Sequence, residues 1–139
     1  MSRLIVDAGP LVAWLNAREL HHAWVRDLLG DVDPPLLTCE AVVSEACFML
    51  RRQAHGPAGV IGLIERGVLA PAFRLDGEQE AIGGLMRKHE AVPMSFADAC
   101  LVRMTELDPK ATIVTLDADF SIYRRHGRQV VPTIMPERG

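Results

Sequence analysis

The sequence predicts an α/β protein built on a mainly parallel sheet. Short runs rich in Val, Ile and Leu, such as Leu4-Ile5-Val6 and Ala111 to Leu116, alternate with longer segments whose apolar residues recur three and four positions apart. Pro and Gly punctuate the boundaries between them. No internal repeat, low-complexity tract or linker interrupts this alternation, so residues 1–139 are expected to form one domain.

Leu4-Ile5-Val6 is the first expected strand, and Pro10 then fits the first turn of a helix whose apolar stripe is Leu11, Val12, Trp14 and Leu15. A second helix is expected over His22 to Leu29, ended by Pro34-Pro35. Leu36-Leu37-Thr38 is a second strand leading into a long helix from Glu40 to Gln53, which His55-Gly56-Pro57 closes. A helix from Ala58 to Arg66 and a weak strand from Ala72 to Leu75 follow. The next helix, Glu78 to His89, carries an unfavourable Gly83-Gly84 pair. Ser95 is a suitable cap for a helix from Phe96 to Leu107, which Pro109 closes. Ala111 to Leu116 is a buried strand, Asp117 opens a short helix toward His126, and Gln129 to Ile134 reads as the last strand.

A chain of 139 residues buries roughly two-thirds of its unfolded surface, enough for a core without staples. At 49% hydrophobic and 24% charged it has an ordinary globular composition. Cys39, Cys47 and Cys100 form no CxxC pair and are odd in number, so they are expected to be buried reduced thiols. No apolar window approaches the length of a membrane span, and the amino terminus lacks a signal peptide, which points to the cytoplasm. The net charge of −3 argues against a general polyanion binder. The objection weakens if bound metal shields several carboxylates, and Arg51-Arg52, Arg87-Lys88 and Arg124-Arg125 remain as basic clusters, each readable as a solvated helix face.

Four acids stand out. Asp7 and Asp117 follow strands, at the edge where open α/β sheets bind ligands, although each could simply cap the next helix. Glu45 has Ala41, Val42, Phe48 and Met49 as its helical neighbours, and Asp98 has Met94, Ser95, Leu101 and Val102, so both are expected to point inward from apolar stripes. A buried carboxylate must find a cation or raise its pKa, and a salt bridge would explain either acid singly. Gathered together, the four require a multivalent ion. An all-oxygen set suits Mg²⁺ or Mn²⁺, whose natural chemistry on such a site is phosphodiester hydrolysis.

Taken with their neighbours, these residues resemble the PIN-domain nucleases, especially the compact VapC toxins of toxin–antitoxin pairs. The matching pieces are Val6-Asp7-Ala8-Gly9-Pro10-Leu11-Val12, Ser44-Glu45, Ser95-Phe96-Ala97-Asp98-Ala99 and Thr115-Leu116-Asp117-Ala118-Asp119-Phe120, spread over nearly the whole chain. The resemblance places the catalytic, metal-holding quartet on Asp7, Glu45, Asp98 and Asp117, with Asp119 as an auxiliary acid and Thr115 as a hydroxyl orienting water. It departs from the family at Gly9, where many members carry Ser, Thr or Asn. It further implies a three-layer fold with a four- or five-stranded, mainly parallel sheet flanked by helices, cleavage of RNA, homodimerisation and a small antitoxin whose carboxyl-terminal segment fills the cleft.

Two rivals are distinguishable. A receiver-type phosphoacceptor domain needs a Lys after a late strand, and none follows Lys110. A catalytically weak or inactive PIN-fold scaffold that binds RNA or a partner protein is compatible with the acidic balance and Gly9, but not readily with retention of all four acids. Neither a P-loop nor GxGxxG occurs.

Overall fold

The computed structural model describes residues 3–137. Its strands are β1 (Arg3–Val6), β2 (Leu36–Thr38), β3 (Leu69–Pro71), β4 (Ala111–Val114), β5 (Arg124–Arg125), β6 (Gln129–Val130) and β7 (Thr133–Ile134). The helices are α1 (Ala8–Leu15), α2 (His22–Gly30), α3 (Glu40–Met49), α4 (Gly56–Glu65), α5 (Gln79–Lys88) and α6 (Phe96–Leu107). Five strands pair in parallel in the order β3-β2-β1-β4-β7, while β5 and β6 form a separate antiparallel ribbon. The expected mainly parallel α/β sheet is therefore present, with five strands where four or five were expected.

That strand order explains the layers. From β1 the chain steps to β2 and then to β3 in one direction, and α1, α2, α3 and α4 of these two crossovers pack on one another. From β3 it returns across the sheet to β4, and α5 and α6 of this crossover pair together, with α6 against β4. Right-handed crossovers running in opposite directions put the two helix groups on opposite faces. The central strands, covered on both faces, need apolar residues throughout, and Ile5, Val6, Ile113 and Val114 are almost wholly inaccessible. Between β1 and β4 the direction of winding reverses, which opens a crevice at their carboxyl ends.

Several boundaries differ from the sequence-based expectation. The third strand is Leu69–Pro71, not Ala72 to Leu75: the chain leaves α4 through Gly67 at φ 75° and pairs at once, Leu36 with Leu69 and Thr38 with Pro71. Pro71 is tolerated because β3 is an edge strand. The third helix stops at Met49 instead of Gln53, because the chain turns back through His55 at φ 62°. Gly56 then starts α4, where a Cβ would lie 2.4 Å from the Leu50 carbonyl oxygen, so only glycine fits that approach.

The expected helix from Asp117 to His126 is one 3₁₀ turn, Ala118–Ser121, followed by the β5–β6 ribbon reversed at His126 and Gly127, both with positive φ. The expected last strand divides accordingly: Gln129–Val130 belongs to the ribbon, and only Thr133–Ile134 joins the sheet. Cys39 and Cys100 are buried free thiols, whereas Cys47 is only partly covered. Arg124 and Arg125 are not a solvated helix face; they are half-buried and donate to carbonyls, Arg124 to those of Ser121, Ile122 and Tyr123, and Arg125 to that of Thr105.

Candidate active site

The ladder between β1 and β4 continues one step past the strands, where the Asp7 amide donates to the Val114 carbonyl at 3.0 Å. This aligns Asp7 with Thr115, and the Thr115 hydroxyl donates to Asp7 Oδ2 at 2.7 Å. The other oxygen, Oδ1, accepts from the Ala8 amide at 2.8 Å, so Asp7 also caps α1. Asp7 is 7% exposed. Burial is the main cause that raises its pKa to about 6; the two hydrogen bonds oppose the rise, and the charges of Asp98 and Glu45 add to it.

Asp98 reaches the same sheet edge from the other helix layer. It occupies the first turn of α6, where its amide donates to Ser95 Oγ at 3.0 Å and its carboxylate accepts from the Ser95 amide, a capping box. Its Oδ2 also accepts from the Tyr123 hydroxyl at 2.8 Å. Burial raises the Asp98 pKa, the bonds from Tyr123 and Ser95 oppose it, and the charge of Asp117 adds to it. Asp117 caps the 3₁₀ turn by accepting from the Asp119 amide at 2.9 Å, while its own amide donates to Thr115 Oγ1 at 3.0 Å. One threonine hydroxyl thus links the acids that follow β1 and β4.

Glu45 corrects the expectation that it points into the core. The buried face of α3 carries Val42 and Ala46, and Glu45, Phe48 and Met49 lie on the exposed face. The run of apolar neighbours misled because α3 leaves part of its apolar surface open. Burial of the carboxyl still raises the Glu45 pKa, followed by the charges of Asp98 and Asp117. Asp98 is half-buried, and Asp117 is exposed. Asp119 is half-buried beside Asp117, and its backbone carbonyl accepts from the Tyr123 amide.

Mutual charge effects link Asp7 with Glu45 and Asp98, Glu45 with Asp98 and Asp117, and Asp98 with Asp117. The ion pairs among the described residues are Arg3–Asp108, Arg26–Asp27, Arg103–Glu78 and Arg103–Glu106, and none reaches the quartet. A salt bridge therefore does not explain these acids. Among the described residues no three His, Cys, Asp or Glu side chains stand close enough together to form a metal-ion cluster. Four uncompensated carboxylates, with Asp98 Oδ1 and Asp117 Oδ2 accepting from no donor among the described residues, nevertheless suit a hard divalent cation. Such a cation would relieve the repulsion and desolvation that raise the pKa values of Asp7, Glu45 and Asp98.

Sequence reasoning missed Tyr123. It is fully buried, set edge-on against His89 and Phe120. The spacing of Phe120 and Tyr123, three apart just after Asp117, was the available signal. His22 bonds through Nδ1 with the Ala13 carbonyl at 2.7 Å and ties α2 to α1.

A family model for the PIN domain matches residues 4–125. Among solved structures the chain is similar to the Mycobacterium tuberculosis toxin VapC20, described as cleaving the sarcin–ricin loop. The superposition gives a TM-score of 0.73 at 23% sequence identity and covers 86% of this chain and 93% of that one. At this identity the likeness carries the fold. No curated protein matches the sequence.

Proposed function

The chain belongs to the PIN-domain family, and from that premise we propose that it is a metal-dependent endoribonuclease, the toxin component of a toxin–antitoxin pair. The observation that carries this reading is the uncompensated quartet of Asp7, Glu45, Asp98 and Asp117 at the reversal point of the sheet. The similarity to VapC20, itself described as an RNA-loop-cleaving toxin, supports it.

In this reading Asp7, Glu45, Asp98 and Asp117 would hold Mg²⁺ or Mn²⁺, which would supply Lewis-acid activation of water and charge stabilisation at the scissile phosphate. The chain's own residues prepare the site. Thr115 fixes the carboxylate of Asp7 and the backbone of Asp117 relative to one another. Tyr123 and Ser95 hold Asp98. Asp119 is an auxiliary acid whose backbone sets the orientation of Asp117. Glu45 and Asp117, the exposed members, stand on the side from which RNA arrives.

Residues 1–139 act as one PIN domain in the cytoplasm, and no helix of the described residues is long and apolar enough to cross a membrane. A small antitoxin would silence the site by inserting an Arg among the carboxylates, where it replaces the cation's charge and pairs bidentately. Homodimerisation belongs to the same proposal.

The test is cleavage of a panel of structured and single-stranded RNAs with Mn²⁺, with Mg²⁺ and with EDTA, alongside Asp98→Asn. Cutting that needs the metal and is absent in the variant supports the nuclease. Tight RNA binding without turnover under any condition would replace it with a scaffold.

A further inference from the structure

Beside the acids the surface becomes aromatic. Phe48 on α3 is 63% exposed and Phe96 on α6 is 42% exposed, and both line one open concavity with Glu45, Ser44 and Ser95. Phe48 follows Glu45 by three residues, and Phe96 precedes Asp98 by two. The rings therefore sit on the two helices that deliver those acids. Arg51 lies over the Phe48 ring, its guanidinium carbon 4.0 Å from the centroid, and its Nη1 donates to the Phe48 carbonyl at 2.9 Å. Arg52 beside it is exposed.

Large aromatic side chains this exposed, grouped and flanked by guanidinium groups, indicate a binding surface. Resting on the reading of the quartet as a phosphodiester-cleaving centre, we propose that Phe48, Phe96 and Arg51 form a subsite. In it, an unpaired base next to the scissile phosphate of the RNA stacks.

The chemistry favours a base over other occupants. A divalent ion offsets only part of the charge of four carboxylates, so the centre itself offers a polyanion little net attraction, and base–aromatic stacking supplies one that does not depend on charge. Arg51, seated over the Phe48 ring, offsets a neighbouring phosphate. Stacking also requires a base freed from its duplex, so the subsite selects single-stranded segments and loops over continuous helices.

The experiment uses the full chain carrying Asp98→Asn, to bind without cutting, and compares a short unstructured RNA with a duplex of the same sequence in Mg²⁺. Phe48→Ala and Phe96→Ala should each weaken binding of the unstructured RNA at least about fivefold. In the cleaving background they should raise KM more than they lower kcat, with unchanged thermal unfolding. Phe48→Trp should keep the affinity, and its added fluorescence should be quenched by the unstructured RNA and not by the duplex.

Unchanged affinity in Phe48→Ala, or no added quenching in Phe48→Trp, would overturn the subsite. So would loss of a dimer in light scattering with RNA affinity intact, which would assign the face to a second copy. A protein that cuts RNA in a metal-dependent way but ignores Phe48 refutes the subsite alone. A protein that neither binds nor cuts RNA refutes the nuclease reading with it.

Discussion

The Tyr123 hydroxyl donates to Asp98 Oδ2 at 2.8 Å from a ring that is wholly buried. Edge contacts with His89 and Phe120, at centroid distances of 5.4 and 5.2 Å, keep that ring from following the carboxylate. Burial, and next the bond to Asp98, push the Tyr123 pKa up, so the phenol stays a donor. The pair thus fixes the rotamer of the acid that α6 brings to the site.

Tyr123→Phe keeps the ring and removes only the hydroxyl. Partners that orient metal ligands are typically worth 10- to 100-fold. The variant should lose on the order of tenfold in Mn²⁺ affinity by calorimetry, and a similar factor in turnover at limiting metal, with little change in Tm. Unaltered Mn²⁺ affinity would show that Tyr123 only fills space.

Asp7→Asn and Asp98→Asn should each cut turnover by at least about a hundredfold, while Asp119→Asn should be milder because Asp119 holds Asp117 through its backbone amide, which the substitution keeps. Single-turnover cleavage of an RNA substrate ranks the three. Equal losses at Asp98 and Asp119 would mean that the acids are ranked wrongly.

Asp7 makes stability depend on pH. Its folded pKa of about 6 lies above the ordinary 3.8, so between these values the folded state holds a proton that the unfolded state releases. The metal-free protein therefore loses stability as pH rises from about 4 through 6, by up to about 3 kcal/mol, and levels off above that window. Asp7→Asn removes the titration. In EDTA it should unfold several degrees higher than the parent at pH 7.5, and the difference should vanish near pH 4. Melting curves across pH decide this, and a variant less stable at pH 7.5 would reverse the sign.

A divalent cation that binds only the folded state should raise Tm, by an amount equivalent to about 2.7 kcal/mol at a hundred times its Kd. Scanning calorimetry with Mg²⁺, Mn²⁺ and matched NaCl should show the rise for the divalent ions. Asp98→Asn should show much less of it. A rise that persists in full in the variant would place the ion elsewhere.

Gly9 sits two residues after Asp7 in α1, and a Cβ there would meet Leu116 Cδ1 at 3.4 Å, an ordinary contact. Gly9→Ser should fold and gain up to about 0.5 kcal/mol of helix stability. It returns a hydroxyl beside the acids, so metal-dependent cleavage should rise. A destabilised Gly9→Ser would show that Leu116 cannot yield.

Much of this protein was determined by local sequence. Alternating strand and helix signals, the cap at Ser95, and acids placed just after Val6 and at the start of α6 depend on neighbours a few residues away, so they could be read before any fold was known. Tertiary structure decided the rest. The helix ending at Met49 and the strand at Leu69–Pro71 depend on close approach to Leu50 and on pairing with Leu36–Thr38. Glu45 turned out exposed because the direction of a helix face depends on what the fold packs against it. Tyr123 reaches Asp98 only through the 3₁₀ turn after β4, and Thr115 meets Asp7 across 108 residues of chain. Such contacts follow from the order in which strands assemble, which local propensity does not encode.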